Sequence, residues 1–169
     1  SRDLGPGNCL IDEWIRINTK NEFDHNGEIA KKGKINKFIL NQALDNFNST
    51  ITQNTQSYDT KDFDLGFARG LNFEDGTATL TEYTASIIAE GLMNCLSGKK
   101  EESWKVLVCG GGRKNKTLID SIKNKIYNNL IIQSTDDYGI DGDYVESQTF
   151  AYLAIRSFLK LPISFPATT

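Results

Sequence analysis

The sequence predicts an α/β fold in which amphipathic helices pack on a small parallel sheet. Three observations carry this expectation. Residues 106–112, Val-Leu-Val-Cys-Gly-Gly-Gly, end a short apolar run, β-branched at alternate positions, in three glycines. An amphipathic segment with Leu118, Ile119, Ile122 and Ile126 follows, and then a second apolar run, Leu130-Ile131-Ile132. Strand, helix, strand and a last helix near 143–160 favour a parallel pair, with the helices at 77–97 and 143–160 lying against it.

The elements follow in order. The opening Ser-Arg-Asp-Leu-Gly-Pro-Gly-Asn is a turn, and Asn8 stands where it can cap a helix carrying Leu10, Ile11, Trp14 and Ile15 on one face. Residues 21–34 are polar and glycine-punctuated, a loop with one helical turn. Ile35, Phe38, Ile39 and Leu44 mark the next amphipathic helix. The stretch 45–62, rich in Asn, Ser, Thr, Gln and Asp, is a long loop too polar to bury. A short helix follows near Leu65–Leu71. Thr77 or Thr79 caps a helix with Leu80, Tyr83, Ile87, Ile88, Leu92 and Leu96 at three-to-four spacing, closed by Ser97-Gly98. The strand at 104–109, a helix over about 115–128, the strand at 130–132 and a glycine/aspartate loop at 135–142 lead to the last helix, which Pro162 stops. Two strands make a poor sheet by themselves, so the pattern expects strands that are missing here.

At 169 residues the chain fits one domain with a real core. A net charge of −3 argues against a dedicated nucleic-acid binder, and Lys31-Lys32-Gly33-Lys34 is too short for a phosphate-backbone stripe. No apolar run approaches the ~20 residues that span a bilayer, and the start has no signal-peptide pattern. Cys9, Cys95 and Cys109 read as buried free thiols of a reducing cytoplasm. The single histidine, His25, reads as a surface turn residue rather than a catalytic base.

Three consecutive glycines remove every Cβ, so a flat ligand can approach the main chain closely, and the following helix turns its first N–H groups to the same place. The dinucleotide fingerprint Gly-x-Gly-x-x-Gly would use positions 110, 112 and 115, but 115 is Asn. Gly110 to Thr117 keeps the frame of a phosphate-binding loop, again with Asn115 in place of the second glycine. Two more segments bear on the choice. Asp3-Leu4-Gly5-Pro6-Gly7-Asn8 can present backbone N–H groups to a phosphate while the Asp3 carboxylate holds a hydrated Mg²⁺. Gly139-Ile140-Asp141-Gly142-Asp143-Tyr144-Val145-Glu146 places Asp143 at a helix start and Glu146 at the third helical position. There both carboxylates either cap the helix or point into a cleft toward sugar hydroxyls.

Together these segments resemble the C-terminal part of the anhydro-N-acetylmuramic acid kinase family. The matching features, in order, are Asp3-x-Gly-Pro-Gly-Asn8 with Asp12 and Trp14; Val108-Cys-Gly-Gly-Gly-x-x-Asn115; Gly139-Ile-x-Gly-Asp-x-x-Glu146 through Phe150-Ala-x-Leu-Ala154; and Leu161-Pro162. The resemblance runs across nearly the whole chain. It implies one half of an actin-like, ribonuclease-H-like sugar kinase, with strands missing on the N-terminal side and residues 1–169 forming a single nucleotide-binding domain. It implies ATP and Mg²⁺ as cofactors and a cytoplasmic reaction in cell-wall recycling. In that reaction water opens 1,6-anhydro-N-acetylmuramic acid and O6 is phosphorylated. Asp3, Gly5 and Gly7 would form a phosphate segment, with Asp3 on the metal. Gly110, Gly111, Gly112 and Asn115 would form the adenosine segment, and Glu146 and Asn8 would contact the sugar. The family's first phosphate loop and catalytic aspartate belong to an N-terminal half that the chain does not show. By this resemblance the partner is that half, no catalytic residue is expected here, and the chain alone is expected to be inactive. An apolar face left open where that half docks would favour a homodimer. Another actin-like sugar kinase, or a nucleotide-binding module without chemistry, would share the glycine site.

Overall fold

A computed structural model describes residues 3–50, 58–96, 103–127 and 129–163. The long helix α4, Phe73–Cys95, organises everything else, because it buries residues around its whole circumference. One side meets α1 (Cys9–Asn18), α2 (Glu28–Lys32), α3 (Lys37–Thr50) and the loop 63–68. There Leu10, Ile11, Trp14 and Ile15 pack with Leu40, Phe63, Leu65, Leu80, Tyr83 and Ile87. These are the α1 residues that the three-to-four spacing selects, so the face read from the sequence is the face buried. The other side of α4 presents Ala85 and Ala89 to Leu118 and Ile122 of α5 (Lys116–Lys123) and to Ile132 of the sheet. Small residues let α4 accept neighbours this closely. A Cβ at Gly76 would lie within 2.7 Å of the Trp14 ring, and the Trp14 indole N–H donates to the Phe73 carbonyl at 3.0 Å.

The sheet has two parallel strands, β1 (Trp104–Val108) and β2 (Leu130–Ser134), joined through α5 and registered Trp104 to Leu130 through Val108 to Ser134. Residues alternate along β1, so Val106 and Val108 face the α4–α5 core while Leu107 is 45% exposed on the other face, beside Ile131 at 51%.

Several expectations are corrected. Helix α4 starts four residues or more before Thr77, capped by Asn72, whose side chain accepts from the Asp75 N–H at 2.8 Å. Thr77 and Thr79 lie inside the helix, where their hydroxyls bond back to the Phe73 and Asp75 carbonyls. Their hydrogen-bonding capacity is met locally, so they can be buried. Helix α3 continues to Thr50, so the polar stretch from 45 begins helical, with Phe47 anchoring it. Residues 51–57 and Ser97-Gly98 lie outside the described residues. Phe38, assigned to the buried face of α3, is 78% exposed; Leu40 and Ala43 take that face instead. The segment near Leu65–Leu71 forms only the 3-10 turn Gly66–Ala68. Helix α5 ends at Lys123, well short of 128.

The last helix, α6 (Val145–Phe158), buries none of its residues, against the expectation that it lies on the sheet. Phe150, Ile155 and Phe158 face outward, because two strands offer too narrow a floor for a fourteen-residue helix. It ends three residues before Pro162, through a left-handed Lys160 whose N–H reaches the Ser157 carbonyl. Of the thiols, Cys9 is half-buried, and its ionisation is pushed up chiefly by burial; Cys95 and Cys109 are exposed, not buried. Cys95 sits on the open last turn of α4, and Cys109 leaves β1 on its uncovered side. His25 is exposed in a turn, as expected. Among the described residues no helix is long and apolar enough to cross a membrane.

Candidate functional site

At the carboxyl ends of β1 and β2 two loops leave the sheet side by side, which is where parallel sheets offer ligands a crevice. The first is the glycine turn. Gly110 takes φ +75°, a value that excludes most side chains, and a 3-10 turn over Gly111–Lys114 delivers the chain to Asn115. Asn115 caps α5 by accepting the Leu118 N–H at 3.1 Å. Its amide nitrogen donates to the Asn8 side chain at 3.3 Å, across 107 residues of sequence. The Gly5-Pro6-Gly7 segment and the triple glycine are therefore joined directly, by the residue that breaks both glycine-loop patterns. Asn8 does not cap α1 with its side chain, contrary to expectation, because its oxygen serves this bridge instead.

Glycines near the site divide into two kinds. Gly27 and Gly142 are demanded by packing: a Cβ at Gly27 would press on Thr117, and one at Gly142 on the Arg113 guanidinium. At Gly111 and Gly112 a Cβ would meet no heavy atom within 4 Å, and neither has a left-handed φ. No described residue requires glycine there.

Asp3 is exposed and lines a cavity of about 350 Å³ together with Gly5, Pro6, Tyr58, Asp59 and Phe63. The Asp3 carbonyl accepts the Tyr58 N–H at 3.2 Å. Tyr58 in turn packs against Phe47 and Phe63, with ring centroids 5.4 and 5.8 Å apart. The end of the polar stretch 45–62 is thus a wall beside the Asp3–Gly7 segment, a role its composition does not reveal. Asp12, in the first turn of α1, is half-buried; burial pushes its carboxyl up, Arg16 pulls it down and Asp24 raises it. Among the described residues no group of three or more His, Cys, Asp or Glu side chains is gathered to hold a metal.

The second loop follows β2. Ser134 and Asp137 form a capping box over Thr135–Tyr138, and Gly139 closes the turn with φ +73°. Asp143 does not cap α6: it binds Arg113 and Lys114, both at 2.5 Å. Asp136 meets the Arg113 guanidinium at 2.6 Å. Arg113, and for Asp143 Lys114 as well, hold both carboxyls below the usual carboxylate range. Glu146 sits at the second position of α6, not the third, exposed and without a cap bond. The capping explanation therefore fails for both acids. Arg113 was the residue overlooked. Its signal was an arginine after one strand and three aspartates, 136, 141 and 143, after the neighbouring strand.

The family model for anhydro-N-acetylmuramic acid kinase matches residues 1–169. The anhydro-N-acetylmuramic acid kinase of Pelagibacter ubique is 49% identical over the whole chain, which covers 45% of that protein. The protein of the same name from Zymomonas mobilis is 36% identical over 99% of the chain and 44% of its own length. That from Caulobacter vibrioides is 34% identical over 99% of the chain and 43% of its own length. The chain spans less than half the length of the curated relatives it matches. Its sequence across all described elements, glycine turn included, is that of a member of the anhydro-N-acetylmuramic acid kinase family.

Proposed function

We propose that this chain is the nucleotide-binding half, C-terminal in the motif order, of an ATP-dependent kinase acting on 1,6-anhydro-N-acetylmuramic acid in the cytoplasm. In the overall reaction a water oxygen bonds to C1, the C1–O6 bond opens, and O6 receives the γ-phosphoryl group as ADP leaves. The half would have a ribonuclease-H-like sheet completed by strands outside this chain. The observation that carries the reading is the open space over Gly111 and Gly112, since a ligand lying on that backbone would give glycine a purpose there that no described residue gives it.

In this reading the Gly110–Gly112 backbone and Asn115 hold the adenosine side. Gly5, Gly7 and the start of α1 take the phosphates, tied to the first group by the Asn8–Asn115 bond. Asp3 and Asp59 on one cavity suit a hydrated Mg²⁺, which binds through one or two carboxylates and otherwise through water and phosphate oxygens. When bound, Mg²⁺ would neutralise charge on the transferring phosphoryl group. Glu146 and Asn8 would face the sugar. Turnover needs the other half as well, so the isolated chain should bind nucleotide without phosphorylating sugar.

The test is a bulky substitution in the full-length protein. The Cβ of Gly112→Val would meet no heavy atom within 4 Å, so the melting temperature should hold, while ATP KM rises by about tenfold or more. An unchanged ATP KM would remove the glycine turn from the nucleotide site. Glu146→Ala should raise sugar KM and leave ATP KM nearly unchanged.

A further inference from the structure

Arg113 is the most enclosed charge of the site, with 6% of its side chain exposed. Each nitrogen of its guanidinium donates at least one hydrogen bond. Nε and one terminal nitrogen donate to Asp136 at 2.6 and 3.2 Å, and the other terminal nitrogen donates to Asp143 at 2.5 Å and to the Gly110 carbonyl at 2.9 Å. The two loops it spans also touch through their main chains. The Gly110 N–H donates to the Gly142 carbonyl at 2.8 Å, and the Gly142 N–H donates to Asp136 at 2.9 Å. Gly142 is buried beneath the guanidinium, and a Cβ there would lie 2.7 Å from the Arg113 Cζ.

We propose that Arg113 is a positioning residue that clamps the glycine turn to the loop entering α6 and so fixes the shape of the nucleotide subsite. That a nucleotide occupies the subsite rests on the function proposed above; the clamp itself does not. An arginine beside a glycine turn could instead serve as a cation for phosphate. The geometry points away from that role, because three carboxylates already face its charge, Asp141 at 3.8 Å besides Asp136 and Asp143, and each guanidinium nitrogen already donates to Asp136, Asp143 or Gly110. A planar fork is needed to reach Asp136, Asp143 and Gly110 together, and a lysine's single nitrogen cannot do so.

The proposal makes Arg113→Lys as damaging as Arg113→Ala. In the full-length protein both should raise ATP KM by about tenfold, with kcat within about threefold and sugar KM unchanged. Amide hydrogen exchange should accelerate over residues 110–115 and 139–143, while α1 and α4 keep their protection. Asp143→Asn, which removes one arm only, should give a smaller change in the same direction and guards against a variant that does not fold. Near-normal ATP KM for Arg113→Lys beside a damaged Arg113→Ala would show a charge contact and overturn the clamp. Unchanged exchange over 110–115 in Arg113→Ala would overturn it too. If the parent protein bound no ATP, the kinase reading would fall, and the exchange experiment would still decide whether Arg113 holds the turn.

Discussion

Around Leu10, Ile11, Ile15 and Leu80, none more than 1% exposed, α1 and α4 exclude water almost completely. At the ends of β1 and β2 the loops meet through a guanidinium whose partner carboxylates, on Asp136 and Asp143, are 47% and 43% exposed. The first region is held by apolar area and close packing, which scale with contact and have little direction. The second is held by directed, charge-assisted hydrogen bonds, which set geometry but add little stability where water reaches them. On the proposed reading a nucleotide-binding half needs both kinds: a core that does not yield, and a rim whose shape is specified without being filled by side chains, open to the proposed nucleotide.

Substitutions on either side can break this contrast. The largest effect is expected at Trp14, 4% exposed, with a ring that fills the space left by Gly76 and an N–H bonded to Phe73. Trp14→Ala should cost about 4 kcal/mol by urea unfolding. A loss below about 1 kcal/mol would mean that the helical end is not the stable one. The cap is next: Asn72→Ala, which frees the Asp75 N–H at the start of α4, should cost about 1 kcal/mol.

A pH experiment sharpens the burial argument. Burial, helped by Asp64, pushes the Tyr83 hydroxyl up to about 12. Its folded value lies above the unfolded one. Its contribution to stability is therefore complete below about pH 10 and declines as pH rises toward 12. Alkaline titration followed at the tyrosinate absorbance should show one late-ionising tyrosine that Tyr83→Phe removes. The smallest effect is expected on α6: Phe158, 86% exposed, should change stability by less than about 0.5 kcal/mol when replaced by Ala in this chain. A larger loss would place α6 in the core.

The legible parts of the fold were those with strong local periodicity. The buried faces of α1 and α5, the Leu80, Tyr83 and Ile87 side of α4 and the βαβ order followed from spacing alone, since a helix or strand with one apolar face has few ways to bury it; the small-residue side of α4, with Ala85 and Ala89, did not. Helix starts were misjudged where Thr77 and Thr79 resembled caps, because a threonine can satisfy its hydroxyl within the helix as well as at its end. The place of α6 could not be read, because amphipathicity says which face seeks a partner and not whether the partner is present. At the site, the glycines of the turn and Asn115 were legible. The pairing of Asn115 with Asn8, the Arg113 bonds and the Tyr58 wall were not, because each joins residues through tertiary contacts that carry no periodic signal.

The Asn8–Asn115 bond has one more consequence, for which substitutions position 115 can bear. The amide shows an acceptor to Leu118 and a donor to Asn8 from opposite sides of one rigid plane. Aspartate would keep the first bond but could only accept in the second, so Asn8 would have to turn its amide over and donate. Alanine or glycine would lose both, and glutamine would move the plane outward by a methylene. The exchange of one nitrogen for one oxygen, the change that spontaneous deamidation brings, would leave α5 capped and reverse the direction of its tie to Asn8. The orientation of the Asn8 side chain thus depends on the chemical survival of the carboxamide at position 115.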